Sequence, residues 1–266
     1  MILLLGLAGC MTMDGFFFDP EKVDAYALET EVIPPDLLEE VSFPSEDGTM
    51  LYGVWAHQEV EDAPVYLYFH GNWRNIDQYM RRVDTYWSLG FETFIFDYRG
   101  YGKSEGSPTF DGVMADGRAA VAYVEGATGK DSAELNYHGL SLGGSVAVHT
   151  AVTDPPHVLI SEDLFANVDK IIDDGSGEDL PPGWFVEDEW DNVAVVPDVH
   201  VPYLVMHAED DDFIRSDSAQ LLYDAANEPK QLWFAPGCDH DTTPDILPEE
   251  YQAWITCWVA QDCPAD

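Results

Sequence analysis

Six short apolar runs alternate with longer helical patterns along most of the 266-residue chain, and this alternation restricts the fold more than any other feature. Each run is apolar on both faces and rich in β-branched or aromatic side chains, as the buried strands of a parallel sheet are. Helices between such strands predict a doubly wound α/β domain. The runs lie at 65–69, 93–96, 135–138, 158–160, 203–206 and 231–234, and a predicted hairpin at 41–44 and 50–56 precedes them.

The helical patterns cover 76–89, 113–125, 142–152, 216–226 and 248–259. One stretch at about 173–200 carries Gly, Pro, Trp and acidic residues without periodicity. It follows the run at 158–160, which is the sixth strand when the two strands of the hairpin are counted first. In a doubly wound fold an insertion at this point lies over the carboxyl ends of the strands, where ligands bind. We therefore predict one domain over 41–266, with the insertion as a small lid.

The chain carries 51 acidic and 11 basic residues, which gives a net charge of −40. Such a surface repels the phosphates of nucleic acids and anionic lipid headgroups, so neither is an expected ligand. The acidic residues are spread along the sequence rather than collected in a tail, which indicates a solvated acidic surface. Adaptation to a saline medium and an ordinary acidic exported protein both fit this composition.

The first ten residues, MILLLGLAGC, form an apolar run that ends in a Leu-Ala-Gly-Cys tetrapeptide. The run is similar to the signal peptide and lipobox of bacterial lipoproteins, and it is far shorter than the roughly 20 residues that span a bilayer. This resemblance implies a signal peptide over 1–10, a lipid anchor on Cys10, a tether over 11–40 and export to the cell envelope. No Lys or Arg precedes the run, and the alternative is an apolar N-terminal helix with an incidental cysteine.

The other three cysteines are Cys238, Cys257 and Cys263. In an exported protein, Cys257 and Cys263 could form a disulfide across the short CWVAQDC segment, which would leave Cys238 as a lone thiol. No His or Cys cluster has the spacing of zinc ligands, so we expect no metal site. No Gly-rich dinucleotide loop follows the first strand, so the sequence implies no cofactor.

The segment GLSLGG at 139–144 follows a predicted strand and opens a predicted helix. A Gly-x-Ser-x-Gly turn places its serine in a strained strand-to-helix elbow, and the small flanking residues let the backbone pass tightly. The helix that begins at Leu142 directs its N–H groups and its dipole towards charge that develops on a substrate. Ser141 is therefore the candidate nucleophile.

Three further motifs follow other predicted strands: FHGN at 69–72, DYRGYGKSEG at 97–106 and PGCDH at 236–240. Together with GLSLGG they resemble, in this order, the motifs of bacterial α/β-hydrolases of the esterase and serine-aminopeptidase-like superfamily. The resemblance spans about 43–259. It implies the α/β-hydrolase fold, a serine hydrolase activity on a small-molecule acyl substrate, and no cofactor.

Carried over residue by residue, the resemblance makes Ser141 the nucleophile and His240 the general base that accepts its proton. The N–H group of Leu142 is one expected donor of the oxyanion hole. The second donor is expected just after the run at 65–69, the third strand, and both Asn72 and Trp73 are candidates for it.

The resemblance also implies a third member of the catalytic triad, a carboxylate that orients the histidine. It is expected after the run at 203–206, the seventh strand, where the family usually has HGxxD and this chain has HAEDD at 207–211. Asp211 occupies the position of the family's aspartate. An alanine replaces the family's glycine, which keeps Asp210 and Asp212 open as alternatives. Glu162 and Asp163 after the sixth strand are a second location, because some hydrolases of this fold hold their acid there.

The expected reaction is hydrolysis of a carboxylic ester through an acyl-enzyme, by a monomer that contacts the membrane only through the lipid at Cys10. Thioester or amide cleavage would use the same machinery. A catalytically inactive binding protein on the same scaffold is the alternative from another class of function. The presence of every triad residue type counts against that alternative.

Overall fold

The computed structural model describes residues 18–171 and 190–263, and within these residues eight strands form one sheet. The strands are β1 Leu38–Pro44, β2 Met50–Ala56, β3 Val65–Phe69, β4 Glu92–Asp97, β5 Leu135–Leu140, β6 Val158–Glu162, β7 Tyr203–Ala208 and β8 Lys230–Ala235. Their spatial order is β8-β7-β6-β5-β3-β4-β2-β1. Each strand overlaps a run predicted from the sequence, so the predicted doubly wound sheet is confirmed.

The sheet is mostly parallel. β1 and β2 form an antiparallel hairpin and β2 pairs antiparallel with β4, whereas the remaining neighbours pair parallel. All residues of β3, β5, β6 and β7 are buried. Both faces of these strands are covered, which explains why they read as continuous apolar runs rather than as alternating patterns.

Helices connect the parallel strands, and two of the described helices, those that begin at Phe110 and Asn192, have a side-chain cap at the N-terminus. The helices are α1 Met80–Ser88, α2 Phe110–Thr128, α3 Leu142–Thr153, α4 Asn192–Val195, α5 Asp217–Ala225, α6 Thr243–Ile246 and α7 Pro248–Ala260. The helix predicted from residue 76 begins as a 3-10 turn, Ile76–Tyr79, before α1. Thr109 caps α2 by accepting a hydrogen bond from Gly112 N, and Gly129 ends it in the left-handed conformation. Asp or Thr side chains at such positions satisfy N–H groups that a helix start leaves without partners.

The predicted tether over 11–40 is wrong for its described part. Phe18 is buried and its ring packs against Tyr101, with the centroids 6.5 Å apart. Ile33 is 3 % exposed, and residues 38–40 are the first three of β1. Burying these apolar side chains stabilises the packed segment over a free one. The folded domain therefore includes residues 18–40, and only 11–17, which lie outside the described residues, remain of the predicted tether.

Most of the predicted lid over 173–200, namely 173–189, also lies outside the described residues. Its remainder from Trp190 onward packs into the domain. The Asn192 side chain, fully buried, contacts Ser145 Oγ of α3 at 2.7 Å and donates to Phe165 O at 3.0 Å. Asn192 thus anchors this segment to the fold, because its buried amide has partners on two neighbouring segments.

At the carboxyl terminus, a disulfide joins Cys257 and Cys263, and Cys238 is a buried free thiol. Cys10 and the rest of the predicted signal segment lie outside the described residues. Among the described helices, none combines the length and the apolar character needed to cross a bilayer.

We expect Ile33→Ala to lower the free energy of unfolding by about 2–5 kcal/mol, because it removes a buried side chain and leaves a cavity. The matched control is Val32→Ala, since Val32 is 51 % exposed and such surface changes stay within about 0.5 kcal/mol. Urea denaturation of both variants measures the difference. Equal stabilities would mean that this segment is a tether after all.

Candidate active site

Ser141 lies at the turn between β5 and α3, in a conformation that few non-glycine residues adopt. Its φ is 51° and its ψ is −118°, and its N–H donates to Glu162 O at 2.8 Å. Within the described residues its hydroxyl does not cap α3. Backbone strain of this kind persists only where the surroundings enforce it, and it is concentrated at functional sites.

The flanking glycines explain why the turn can be so tight. A Cβ atom at Gly139 would collide with the carbonyl oxygen of Gly143, and a Cβ atom at Gly143 would collide with that of Phe69. Only glycine permits this approach of α3 to the ends of β5 and β3. The predicted strand-to-helix elbow is therefore present, with Ser141 at its apex.

Asp211 and His240 are in contact although 29 residues separate them in sequence. His240 Nδ1 lies 2.7 Å from Asp211 Oδ2, and the imidazole is 23 % exposed. The other oxygen of Asp211 accepts hydrogen bonds from Phe213 N at 2.9 Å and from Ile214 N at 2.7 Å. These bonds fix the carboxylate, which in turn orients the imidazole.

The other candidate acids have different partners. Asp210 and Asp212 are exposed. Glu162 forms a buried ion pair with Arg82, with Nη1 2.7 Å from Oε2 and Nη2 3.1 Å from Oε1. Asp163 accepts backbone hydrogen bonds on both of its oxygens. Of the candidates, Asp211 is the one whose carboxylate is hydrogen-bonded to the His240 ring.

A small cavity of about 30 Å³ opens at Ser141 and is lined by Asn72, Leu142, Phe165, Ile171, Phe213 and Ile214. The His240 ring contacts Phe213 edge to face, with the centroids 5.3 Å apart. Ser141 therefore lines a cavity whose walls are mainly apolar, and His240 packs against one of the lining side chains, Phe213.

The two candidates for the second oxyanion donor lie in different surroundings. Asn72 lines the cavity, whereas Trp73 N donates to Tyr79 Oη at 3.3 Å and the Trp73 ring is 48 % exposed. The carbonyl oxygen of Asn72 accepts a hydrogen bond from Tyr101 Oη at 3.1 Å, which fixes this turn. The geometry thus favours Asn72 over Trp73 for this role.

Electrostatics at His240 favour its protonated form. Burial lowers the pKa of the imidazole, but the hydrogen bond to Asp211 and the charges of Asp163 and Asp241 outweigh it and raise the pKa to about 9. The neutral imidazole is consequently a strong base, and the imidazolium that forms on proton transfer is well stabilised.

Comparison with known proteins agrees with this architecture. Residues 61–161 match the family described as Serine aminopeptidase, S33. The uncharacterized protein Rv2307c of Mycobacterium tuberculosis is 32 % identical over 206 residues, which cover 76 % of this chain and 72 % of that protein. The esterase Pf2001 of Pyrococcus furiosus superposes with a TM-score of 0.75 at 19 % identity, over 92 % of this chain and 97 % of the other. The chain belongs to the α/β-hydrolase superfamily.

The predicted α/β-hydrolase fold is thereby confirmed. Another similar protein of this superfamily is the lysophosphatidylserine lipase ABHD12 of Danio rerio, which is 29 % identical over 217 residues. That match covers 69 % of this hydrolase and 56 % of the lipase.

Sequence reasoning missed Arg82, Asp241 and Tyr251 around the histidine loop of this hydrolase. Arg82 is buried and contacts Asp241 through Nε at 2.9 Å, and Tyr251 Oη donates to Glu162 Oε2 at 2.9 Å. The one available signal concerned Arg82, a basic residue inside a helical pattern in a chain that has only 11 basic residues. Such a residue is usually on the solvated face of its helix, so the pattern alone could not single it out.

Asp163, His207 and Asp211 present atoms that lie within 4.8 Å of one another, close enough to hold a metal ion. Most of their polar atoms have hydrogen-bond partners: His207 Nε2 lies 2.7 Å from Ile214 O, and both aspartates have the partners described above, whereas His207 Nδ1 is buried without a partner. A cation would have to displace these bonds, so the group serves better as a hydrogen-bonded frame than as a metal site.

We expect Asp211→Asn to lower the pKa of His240, because the substitution removes the negative charge that is hydrogen-bonded to the imidazolium. The exposed neighbours supply matched controls, and Asp210→Asn and Asp212→Asn should leave this pKa nearly unchanged. NMR titration of the His240 ring in each variant measures the effect. A larger decrease in either control would assign the acid to that neighbour instead.

Proposed function

We propose that this hydrolase cleaves carboxylic esters through an acyl-enzyme, with Ser141 as nucleophile, His240 as general base and Asp211 as the orienting acid. The observation that carries the proposal is the 2.7 Å contact between His240 and Asp211 beside the cavity that Ser141 lines. A strained serine, an imidazole and a buried carboxylate are the parts that acyl transfer requires.

In the proposed reaction, Ser141 Oγ bonds to the ester carbonyl carbon while its proton moves to His240. The N–H groups of Leu142 and Asn72 stabilise the oxyanion of the tetrahedral intermediate. Collapse breaks the bond to the alcohol oxygen, which leaves with the proton from His240. Water then attacks the acyl-enzyme and gives a proton to His240, and the carboxylic acid departs as Ser141 recovers its proton.

Ester cleavage is favoured over other acyl transfers by the similar proteins, since one is an esterase and another is a lysophosphatidylserine lipase. The matched family is described as a serine aminopeptidase, so amide cleavage is the second candidate. Both reactions use the same nucleophile and oxyanion donors. An inactive binding protein would have no need of the strain at Ser141.

We expect Ser141→Ala and His240→Ala to lower ester turnover by about 10⁴-fold or more with the fold retained, because these residues act as one unit. Ser107→Ala and His200→Ala are matched controls at exposed positions and should keep wild-type rates. Turnover of a short-chain aryl ester and labelling with a fluorophosphonate probe provide the measurements. Labelling that persists in Ser141→Ala would place the nucleophile elsewhere.

We also propose that the protein is an exported lipoprotein, a monomer anchored through Cys10. The disulfide between Cys257 and Cys263 supports export, because such bonds persist in oxidising compartments. The acidic domain itself should be repelled by anionic headgroups, so the acyl chains would have to supply the membrane affinity.

Cell fractionation tests the anchor. We expect the wild-type protein in the membrane fraction and Cys10→Ser in a soluble fraction, because the variant has no thiol to acylate. Cys238→Ser is the control for the loss of a thiol and should fractionate as the wild type does. Wild-type protein that is soluble with Met1 intact would refute the lipoprotein proposal and leave the hydrolase proposal untouched.

A further inference from the structure

Strand β6 ends at Glu162 and Asp163 follows it, and both are fully buried carboxylates that the proposed triad does not use. Buried carboxylates are costly unless specific partners satisfy them. Asp163 also has a φ of 48°, a left-handed conformation that is uncommon for a residue other than glycine. Cost and strain at one position next to the proposed acid and base suggest a function for this residue.

The partners of Asp163 connect the two loops that carry Asp211 and His240. Its Oδ1 accepts a hydrogen bond from Ala208 N at 2.8 Å, and its Oδ2 accepts one from Asp241 N at 2.9 Å. Ala208 ends β7 immediately before the acid loop, and Asp241 follows His240 directly in sequence. One carboxylate therefore fixes the backbone of both loops at once.

The neighbouring Glu162 also restrains the histidine loop, through Arg82. Arg82 joins Glu162 through two hydrogen bonds and reaches the Asp241 carboxylate through Nε. Asp241 has a φ of 62°. Its N–H is held by Asp163 and its side chain by Arg82, so the strained residue next to His240 is restrained on two sides.

The charges that face His240 come from three segments: Asp211 on the loop after β7, Asp163 after β6, and Asp241 on its own loop. Arg82 of α1 is the cation in this region and contacts Asp241, and His207 Nε2 lies 3.6 Å from Asp211 Oδ2. Burial and the charges of Glu162 and Asp211 raise the pKa of the Asp163 carboxyl, and His207 and His240 oppose this shift only in part. Two N–H donors directed at its two oxygens favour the ionised form.

We propose that Asp163 is a positioning residue, which sets the distance between the acid loop and the histidine loop and supplies a second negative charge to the imidazolium of His240. This inference rests on the proposed hydrolase function of Ser141 and His240. Asp163 touches neither the substrate nor Ser141 in this proposal. It acts through His240.

The test is Asp163→Asn, which keeps the shape of the side chain but removes its charge and leaves one of the two backbone N–H groups without an acceptor. We expect kcat for an aryl ester to fall by about 10–100-fold, because small misplacements of catalytic groups lower the rate by about this factor. KM should change less than about threefold. Since only neutral His240 accepts the proton, activity is lost as the pH falls through its pKa. The midpoint of the kcat/KM profile should therefore move to lower pH in the variant.

Asp84→Asn is the matched control, because Asp84 is another buried aspartate that accepts a backbone hydrogen bond, from Glu31 N at 2.7 Å. It should lower stability without moving the pH profile. An unchanged midpoint in Asp163→Asn, with kcat reduced only in proportion to unfolded protein, would overturn the proposal. A loss in Asp163→Asn as large as in Ser141→Ala, with Asp211→Asn nearly active, would overturn it too and make Asp163 the triad acid.

Two measurements on the wild-type protein keep the proposal falsifiable if the variant fails to fold. In an acid titration by NMR, the amide protons of Ala208 and Asp241 should shift with one common midpoint, because they share one carboxylate. Independent midpoints would overturn the shared contact. Failure of the hydrolase function itself is distinguishable, since it would appear as wild-type protein without turnover or fluorophosphonate labelling.

Discussion

The approach of α3 to the ends of β3 and β5 determines the geometry of the whole site. Glycines at 139 and 143 leave no Cβ in the contact, and Ser141 N donates to the last residue of β6. Because three strands meet at this point, the turn fixes the nucleophile, the Asn72 turn and the carboxylates at the end of β6 relative to one another. The strained φ of Ser141 can persist because its neighbours are held in the rigid sheet.

Much of this arrangement follows from the sequence through one topological rule. Residues after β5, β7 and β8 must emerge at the same edge, because these strands are parallel. The apolar runs locate the strands, so the positions of Ser141, Asp211 and His240 at that edge could be predicted without coordinates. The resemblance to the family's HGxxD motif also pointed to Asp211, the aspartate that contacts the imidazole.

The remaining features depend on single contacts that leave no period in the sequence. Arg82 meets Glu162 and Asp241, which lie 80 and 159 residues further along the chain, so no local pattern links them. Phe18 and Ile33 lie in an irregular segment, where burial follows from a few side-chain contacts rather than from a repeat. The different partners of Asp163 and Asp211 likewise depend on hydrogen-bond direction, which spacing alone does not specify.

The acidity of the chain has two parts with different physical meaning. At the surface, residues such as Asp210 and Asp212 are solvated, and salt screens their mutual repulsion. The carboxylates of Glu162, Asp163 and Asp211 are buried, and each has defined donors, without which burial would cost several kcal/mol. Screening by salt is weak for buried charges. The surface acidity can therefore vary with the habitat, while the field at His240 stays fixed by the fold.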